Sequence, residues 1–426
     1  MDRRRRMRYL GWFALLFAVA FGAQGLAASG AVAGEASGSG AYPGNTLISV
    51  QSYGLNGRLV EVDPAGEVVW EFDPPNARVF DAERLDNGNV LVAVTTKLDP
   101  AACPNDQLAV EPSHCIESRV LELDYETKDV VWNYTCHDEY ITHHEVHDVD
   151  RLDNGDTAIV DMGNDRAFVV DESGAITWEW HAENHLAEGT EFHEEYGGHP
   201  DPGGEADWTH VNDIDKLENG NFQLSIRNFD VVIEVDPDTD EIVDVVGRPG
   251  DHETLHEQHN PHRLRGGNLL VADSENDRVV ELDPETGETV WQYGGRSLLH
   301  WPRDADRLPN GNTLIVDTFN DRVIEIDDRG RVVWAYEGVR MPYAADRLSV
   351  PEEDHETVPG PELQGRYRDA GTVRGALAQI EAYAAFVFPV WVGLPELLLL
   401  SGAVGCALWV LVEGALALGG APRVGD

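Results

Sequence analysis

Basic side chains are scarce in this sequence of 426 residues. Lys and Arg together number 31 against 77 Asp and Glu, which gives a net charge of -46. Only three of the basic residues are lysines, namely Lys97, Lys128 and Lys216. Such a chain leaves no basic surface to neutralise phosphates, so a nucleic-acid partner is excluded. The acids are spread along the chain, which is typical of a halophilic surface that stays hydrated in molar salt, where the repulsion between carboxylates is screened.

Cysteine is also rare, and none of the four cysteines has CxxC spacing. A zinc ribbon and a thioredoxin-like site are therefore not supported. Cys103 and Cys115 lie in one stretch with Pro104 and Pro112. This arrangement predicts a disulfide that pins a loop outside the cell. Cys136 is expected to be an unpaired thiol or a mobile partner.

Long apolar runs occur near the two ends of the chain. An arginine cluster precedes such a run, so residues 1–33 are predicted to be a signal peptide or an N-terminal membrane anchor. Val390–Val412 is long enough to span a membrane, which predicts a linker at 351–383 and a transmembrane segment at 384–412. A buried core helix is the alternative for the second run. Because the arginine cluster stays inside, the central region should lie on the extracellular side of the cell membrane.

Between residues 45 and 350 the chain repeats a unit of four short apolar segments, separated by Asn-Gly or Asp-Gly turns. Each unit is anchored on a leucine that follows Arg or Lys: Leu85, Leu152, Leu217, Leu264 and Leu308, with Leu348 in the same position in the last, incomplete piece. Four antiparallel strands in a repeat of 40 to 67 residues predict a β-propeller.

The ends of the repeat set the number of blades. The first unit lacks its innermost strand, while Tyr343–Val350 offers only an innermost strand. Joining the two pieces predicts an all-β, six-bladed β-propeller at 42–350, in which N- and C-terminal strands close one blade and no sheet edge stays open. A solenoid is the structural alternative, and it leaves both end pieces unexplained.

Recurring residues are expected to build the blades, whereas residues that change at a fixed position are the candidates for function. The recurring residues assigned to the blades are Asp148, Asp213, Asp304, Arg151 and Arg307. Five positions before each anchoring leucine lies a set that we name the channel ring: Phe80, His147, Asn212, His259, Arg303 and Tyr343. These residues start the innermost strands and should surround the upper mouth of the central channel.

A second ring is expected beside the first, where the next strand of each blade returns to the same mouth. It consists of Gln51, Thr95, Met162, Arg227, Ser274 and Thr318. Arg227 is the charged member of this second ring, and His210 lies two positions before the ring residue Asn212, on the same side of an extended strand.

The predicted pocket thus combines three histidines with Asn212 and Arg227: His147, His210 and His259. Phe80, Arg303 and Tyr343 are predicted to contact a substrate from across the channel. A set without a paired carboxylate suits an anion, because Arg can donate to two oxygens at once.

At these residues the sequence resembles the arylsulfate sulfotransferases, and in particular a haloarchaeal-like, membrane-anchored member of that family. The matching stretches are His147–Gly155, Asp207–Asn212, Ser225–Asn228 and Gln258-His259. The resemblance covers roughly residues 45 to 350. It implies ping-pong transfer of a sulfuryl group from an aryl sulfate ester to a phenolic acceptor, without a cofactor or a nucleotide donor.

The resemblance also implies roles for individual residues. By position, His259 corresponds to the histidine that is transiently sulfated. The groups that hold the sulfuryl oxygens correspond to His147, His210, Asn212 and Arg227. A neighbouring histidine would act as general acid toward the leaving phenolate.

Two other functional classes fit parts of the pattern. Asn276–Val279 and Asn320–Val323 are similar to the repeats of a non-catalytic NHL-like propeller, which would serve as a membrane-anchored extracellular interaction platform. Such a platform predicts no polar ring. A quinoprotein dehydrogenase shares the repeated tryptophans, but it usually needs eight blades and a cation site beside the quinone.

No metal site is predicted. Three histidine pairs have i,i+4 spacing, which is a ligand pattern only on a helix, and they lie in stretches typical of loops: His143/His147, His181/His185 and His252/His256. A bound transition metal stays the alternative. For His259 the alternative is a channel-lining residue bonded to water, and for Arg227 it is a salt bridge with a nearby acid.

Overall fold

The structure is a computed structural model that describes residues 40–52, 54–104, 115–138, 144–203, 207–350, 359–368 and 394–419. The predicted signal peptide or anchor at 1–33 lies outside the described residues. The chain separates into one unit of residues 34–370 and another of residues 1–33 with 371–426.

Residues 46–347 form six antiparallel sheets, the blades of a propeller. Blade 1 begins with β1 (Thr46–Val50), β2 (Arg58–Val62) and β3 (Val68–Phe72). Blade 2 contains β4 (Ala77–Arg84), β5 (Val90–Lys97), β6 (Ile116–Leu123) and β7 (Val130–Asp138). Blade 3 contains β8 (Val146–Arg151), β9 (Thr157–Asp161), β10 (Arg166–Val170) and β11 (Ile176–His181).

The second half repeats the arrangement. Blade 4 contains β12 (Val211–Lys216), β13 (Phe222–Ile226), β14 (Val231–Asp236) and β15 (Glu241–Gly247). Blade 5 contains β16 (His259–Arg263), β17 (Leu269–Asp273), β18 (Arg278–Leu282) and β19 (Thr289–Gly294). Blade 6 contains β20 (Pro302–Arg307), β21 (Thr313–Asp317), β22 (Arg322–Ile326) and β23 (Val332–Tyr336).

The last strand, β24 (Pro342–Arg347), completes blade 1. It pairs antiparallel with β1, so that Thr46 lies opposite Arg347 and Leu47 opposite Asp346. The sheet therefore runs β24-β1-β2-β3. The prediction of six blades, with both ends of the repeat sharing one blade, is confirmed.

Arginines at the ends of the innermost strands join neighbouring blades. Arg307 of blade 6 lies 3.3 Å from the Glu281 carboxylate on β18 of blade 5, and both side chains are fully buried. The guanidinium also packs over Trp291, 4.7 Å from the ring centroid. Equivalent pairs are Arg151 with Glu122 and Arg347 with Glu325. The recurring Arg and Trp residues are thus explained by contacts between blades.

The recurring aspartates join blades through the backbone. Asp148 Oδ2 accepts a hydrogen bond of 2.7 Å from the Ile214 N–H in the next blade, and Asp304 Oδ2 accepts one of 2.9 Å from Ala345. The position equivalent to Ile214 in blade 5 is Pro261, which has no N–H. In consequence, the buried Oδ2 of Asp213 lacks a hydrogen-bond partner among the described residues.

The connections carry the remaining short elements. Between blades 3 and 4 lie α1 (Ala182–His185) and α2 (Glu191–Tyr196). Short 3-10 turns in the described residues are Pro100–Ala102, Met162–Asn164, Arg227–Phe229, Ser274–Asn276, Thr318–Asn320 and Gly360–Glu362. Cys103 and Cys115 form the predicted disulfide in the connection from β5 to β6, and Cys136 is free.

Part of the predicted linker packs on blade 5. Its short strand, β25 (Arg366–Tyr367), pairs in parallel with the outer strand β19. The Gly360 N–H donates to Glu281 at 3.0 Å. The sequence alone gave no sign of this fifth strand.

The other unit contains α3 (Leu394–Gly419). Within the described part of the chain, no helix combines the length and apolarity needed to cross a membrane. The membrane-directed segments at 1–33 and 384–412 stay predictions.

Candidate active site

A recurring turn sets the backbone at the mouth of the channel. In blades 3 to 6 the second strand leads into a 3-10 turn that ends on an aspartate in the left-handed conformation: Asp165, Asp230, Asp277 and Asp321. Asp tolerates this conformation better than most residues. Its carboxylate accepts a backbone N–H at the start of the next blade, as Asp230 does from Glu257 at 2.9 Å and Asp277 from Trp301 at 3.0 Å. These hydrogen bonds hold the backbone two residues before the channel-ring residue, at Glu257 and Trp301.

The channel ring assembles as the repeat predicts. His147 lies 4.4 Å from Phe80 and 5.7 Å from Tyr343, measured between ring centroids. Tyr343 in turn lies 6.4 Å from His259. These four residues come from different blades, and all are buried. Their side chains therefore fill the upper mouth of the channel.

His210 lies against two ring histidines. Its imidazole centroid is 5.3 Å from that of His147 and 6.4 Å from that of His259. His210 Nδ1 lies 2.8 Å from an Asp207 carboxylate oxygen. That carboxylate can compensate the charge of a protonated His210 ring.

The tautomer of His259 follows from its contacts. His259 Nδ1 lies 2.8 Å from Ser274 Oγ, and the Ser274 hydroxyl donates at 2.7 Å to the Pro302 carbonyl oxygen. A hydroxyl has a single proton to donate. His259 must therefore donate from Nδ1 to Ser274, which leaves Nε2 as the unprotonated nitrogen.

Burial holds His259 in its neutral form. The side chain is 1% exposed. Desolvation is the largest cause that lowers its pKa well below 6.5, and the nearby charges of Arg303 and Arg227 act in the same direction. The pKa of His147 is also lowered well below its usual value, first by burial and then by His210 and Arg303. Both imidazoles are thus neutral and available as nucleophiles or hydrogen-bonding groups near pH 7.

Several buried polar atoms of the site have no hydrogen-bond partner among the described residues. They are His147 Nδ1, Asn212 Oδ1 and Tyr343 Oη. Asn212 is held by its other amide atom, which donates to the Gln258 carbonyl oxygen at 3.0 Å. Burial raises the pKa of Tyr343 well above 10, so this hydroxyl keeps its proton. Unsatisfied buried groups of this kind are costly, and a polar ligand or water would satisfy them.

Arg227 forms the salt bridge that the sequence left as an alternative. Its guanidinium pairs with Glu257 and donates to Asn228 Oδ1 at 2.8 Å. Asp207 lies 4.0 Å away. The expectation of a pocket without paired carboxylates is therefore wrong, since Glu257 and Asp207 both approach Arg227. The repeat did not reveal them because they lie before the ring positions, in connections whose course it does not predict.

The three residues predicted to contact a substrate, Phe80, Arg303 and Tyr343, have different surroundings. Arg303 donates to Gln51 of the second ring and packs over Trp301 and Tyr343, with its guanidinium carbon 4.5 and 5.1 Å from their centroids. Phe80 is fully buried behind His147. Trp301, which lies 5.8 Å from His259, was not predicted as a site residue.

His143 of the pair His143/His147 lies outside the described residues, and among the described residues neither His181/His185 nor His252/His256 belongs to a group of three potential metal ligands. His252 stacks on His256 at 3.8 Å, and His185 stacks on Trp180 at 5.1 Å. In the described ranges, one group of three side chains could hold a metal ion: His262, Asp304 and Asp306.

Solved structures similar to this chain match it at low sequence identity. A protein of unknown function from Bacteroides caccae is 15% identical, with a TM-score of 0.50 over 71% of this chain and 98% of that one. A catalytically inactive virginiamycin B lyase from Staphylococcus aureus with quinupristin is 10% identical, with a TM-score of 0.41 over 71% and 87%. A nidogen/laminin complex is 11% identical, with a TM-score of 0.45 over 71% and 97%.

Sequence comparisons are more specific. No curated protein matches the chain. A family model described as outer membrane protein assembly factor BamB matches residues 228–358. The model described as Arylsulfotransferase (ASST) matches residues 42–259, just over half of the 426 residues, and this range includes His147, His210, Asn212, Arg227 and His259. The chain therefore belongs to the arylsulfotransferase family.

Proposed function

We propose that the protein transfers a sulfuryl group from an aryl sulfate ester to a phenolic acceptor through a sulfohistidine on His259. The observation that carries the proposal is the hydrogen bond from His259 Nδ1 to Ser274, which leaves Nε2 unprotonated in a buried site that also holds Arg227. Membership of the arylsulfotransferase family supports the same class of reaction.

In the first half-reaction, His259 Nε2 attacks the sulfur atom of the donor. The N–S bond forms, the bond between sulfur and the aryl oxygen breaks, and the phenolate leaves with a proton from His210. Asp207 supports His210 in this role, because its carboxylate lies 2.8 Å from Nδ1 and can stabilise the protonated ring. The positive charge on the sulfated imidazole is shared with Nδ1–H, which stays hydrogen-bonded to Ser274.

In the second half-reaction, an acceptor phenol gives its proton to the now neutral His210. The phenolate oxygen attacks sulfur and the N–S bond breaks, so His259 returns to its neutral state with the proton on Nδ1. The enzyme is thereby regenerated.

Three groups are suited to the sulfuryl oxygens. Arg227 provides charge near His259, the second N–H of the Asn212 amide nitrogen can donate beside its bond to Gln258, and His147 Nδ1 can donate when it carries the ring proton. A sulfuryl group would replace the Glu257 carboxylate on Arg227, since both present paired oxygens to a guanidinium. Tyr343 and Trp301 would form aromatic walls for the aryl group, and Phe80 would support His147 from behind.

The direct test is release of a fluorescent phenol from its sulfate ester by the purified protein in molar KCl, with and without a second phenol as acceptor. Release should depend on the protein and rise with acceptor. The rate should also hold between pH 7.5 and pH 5.5, because the pKa of His259 lies well below 6.5. A histidine with an ordinary pKa would be about nine-tenths protonated at pH 5.5. Absence of release, or a roughly tenfold fall over this pH range, would contradict the proposal.

Removing the Ser274 hydroxyl tests the tautomer argument. Ser274→Ala should lower the rate of phenol release by about tenfold, or about 1.4 kcal/mol, because the orienting hydrogen bond to Nδ1 is lost. Ser274→Thr should restore most of the rate.

Thr318→Ala is the matched control. Thr318 holds the equivalent position in blade 6 and donates to the Pro342 carbonyl at 3.0 Å, but its blade carries Arg303 in place of the ring histidine. This variant should keep the normal rate. An equal loss in both variants would show that the hydroxyl acts on the blade and not on His259.

A further inference from the structure

The innermost strands carry a second pattern below the channel ring. Four positions before the anchoring leucines lie Asp81, Asp148, Asp213, Asn260, Asp304 and Ala344. Two positions before the leucines lie Glu83, Asp150, Asp215, His262, Asp306 and Asp346. Acids dominate both sets, and blade 5 departs from the pattern at both positions.

The departures in blade 5 bring a histidine to two carboxylates of blade 6. His262 Nε2 lies 3.3 Å from Asp304 Oδ1 and 3.4 Å from Asp306 Oδ1. One potential ligand atom of each residue lies within 4.8 Å of the others. The side chains are mostly buried, with exposed fractions of 17%, 5% and 12%. We name these three residues the lower cluster.

His262 Nε2 and Asp304 Oδ1 are within hydrogen-bond distance, and the distances in the lower cluster also fit ligands around a metal ion. A charge-assisted hydrogen bond between imidazolium and carboxylate is usually about 2.7–2.9 Å long. Two ligand atoms bound at about 2.1 Å in a tetrahedral arrangement are instead about 3.4 Å apart. Both His262 distances fall near the second value, as does the 3.3 Å between His137 Nε2 and Glu117 Oε2, so the distances permit a metal ion without requiring one.

An independent observation comes from the neighbouring blade. Asp213 is 4% exposed, and its Oδ2 has no hydrogen-bond partner among the described residues because Pro261 stands where other blades offer an N–H. Asp213 lies on β12 and His262 on β16, the innermost strands of neighbouring blades, which are in contact. A buried carboxylate without a donor is stabilised by a proton or by a positive charge nearby. Pro261 removes the N–H that would bond Asp213, and His262 brings an imidazole to Asp304 and Asp306. Both substitutions therefore affect buried carboxylates in the lower part of the channel.

We propose that His262, Asp304 and Asp306 bind a divalent first-row transition-metal ion, with Asp213 compensating its charge. One imidazole and two carboxylates make a mixed nitrogen and oxygen set, which suits such an ion better than calcium or magnesium. The proposal does not depend on the sulfotransferase reaction. Because His262 and His259 lie on the same strand, β16, a bound metal would also fix the strand that carries the ring histidine.

The test uses the full-length protein, freed of metal by a chelator and kept in molar KCl, and follows visible absorption during titration with Co²⁺. One saturable equivalent with ligand-field bands is expected, and Zn²⁺ should abolish these bands by competition. Asp306→Asn should weaken Co²⁺ binding by more than roughly 100-fold, since even outer-sphere partners of a metal are worth roughly 10- to 100-fold. His262→Gln should have a similar effect, which keeps the test decisive if one variant fails to fold.

Asp238→Asn is the control for this acidic protein. Asp238 is exposed and lies far from the channel, in the turn between β14 and β15. The Asp238→Asn substitution removes the same charge as Asp306→Asn and should leave the Co²⁺ titration unchanged. Lack of a saturable site in the unmodified protein, or equal binding by Asp306→Asn and Asp238→Asn, would overturn the proposal in favour of a protonated His262 that pairs with the two aspartates.

Discussion

Replacing His259 with alanine should abolish both transfer to phenols and release of the first phenol, with a loss of at least about a thousandfold in each rate. Both half-reactions of the proposed mechanism use the same Nε2 atom, so neither can proceed by the covalent route without it. Loss of a nucleophile costs far more than loss of one orienting hydrogen bond, which is worth about 0.5–1.5 kcal/mol.

Arg227→Lys provides the comparison. Lysine keeps the positive charge but loses the two-pronged geometry, so partial activity should remain. The fold should survive both changes, because neither residue belongs to the contacts that recur between blades. A His259→Ala protein that transfers sulfate at more than about a tenth of the normal rate would favour His147 or His210 as nucleophile, or a direct one-step transfer.

Lowering the salt concentration should unfold the propeller. The chain carries a net charge of -46, and the Debye length grows from about 3 Å at 1 M salt to about 30 Å at 0.01 M. At low salt each carboxylate is repelled by many others across the surface, which destabilises the compact state. We propose on this ground that the protein is halophilic.

Circular dichroism of the purified protein between molar and millimolar KCl measures this effect. The β-sheet signal should be lost at low salt. An unchanged signal in millimolar KCl would refute the halophilic interpretation.

Much of the fold could be predicted because the propeller is a repeat. The strand pattern anchored at Leu85 and its equivalents gave both the register of the innermost strands and the number of blades, and the incomplete pieces at 45 and 350 gave the closure. Once the register was known, the channel ring followed. The repeat thus places His147, His259 and Tyr343 together although they are distant in sequence.

The contacts that depend on the irregular connections could not be predicted in this way. Asp207 and Glu257 precede the regular strands, and their approach to His210 and Arg227 depends on the course of those connections. The hydrogen bond from His259 Nδ1 to Ser274 Oγ joins residues that the sequence had placed in two separate rings, without a contact between them. β25 packs on blade 5 from outside the repeat, so no internal comparison could reveal it.

The central proposal, a sulfohistidine on His259, is tested most directly by mass spectrometry. The protein is mixed with an aryl sulfate in molar KCl without acceptor, digested at neutral pH, and the peptide that contains His259 is examined. This peptide should gain the mass of one SO₃ group, the gain should disappear when a phenol is added, and the His259→Ala protein should show none. A donor that is turned over while the peptide stays unmodified, or a modification on another histidine, would contradict the proposal.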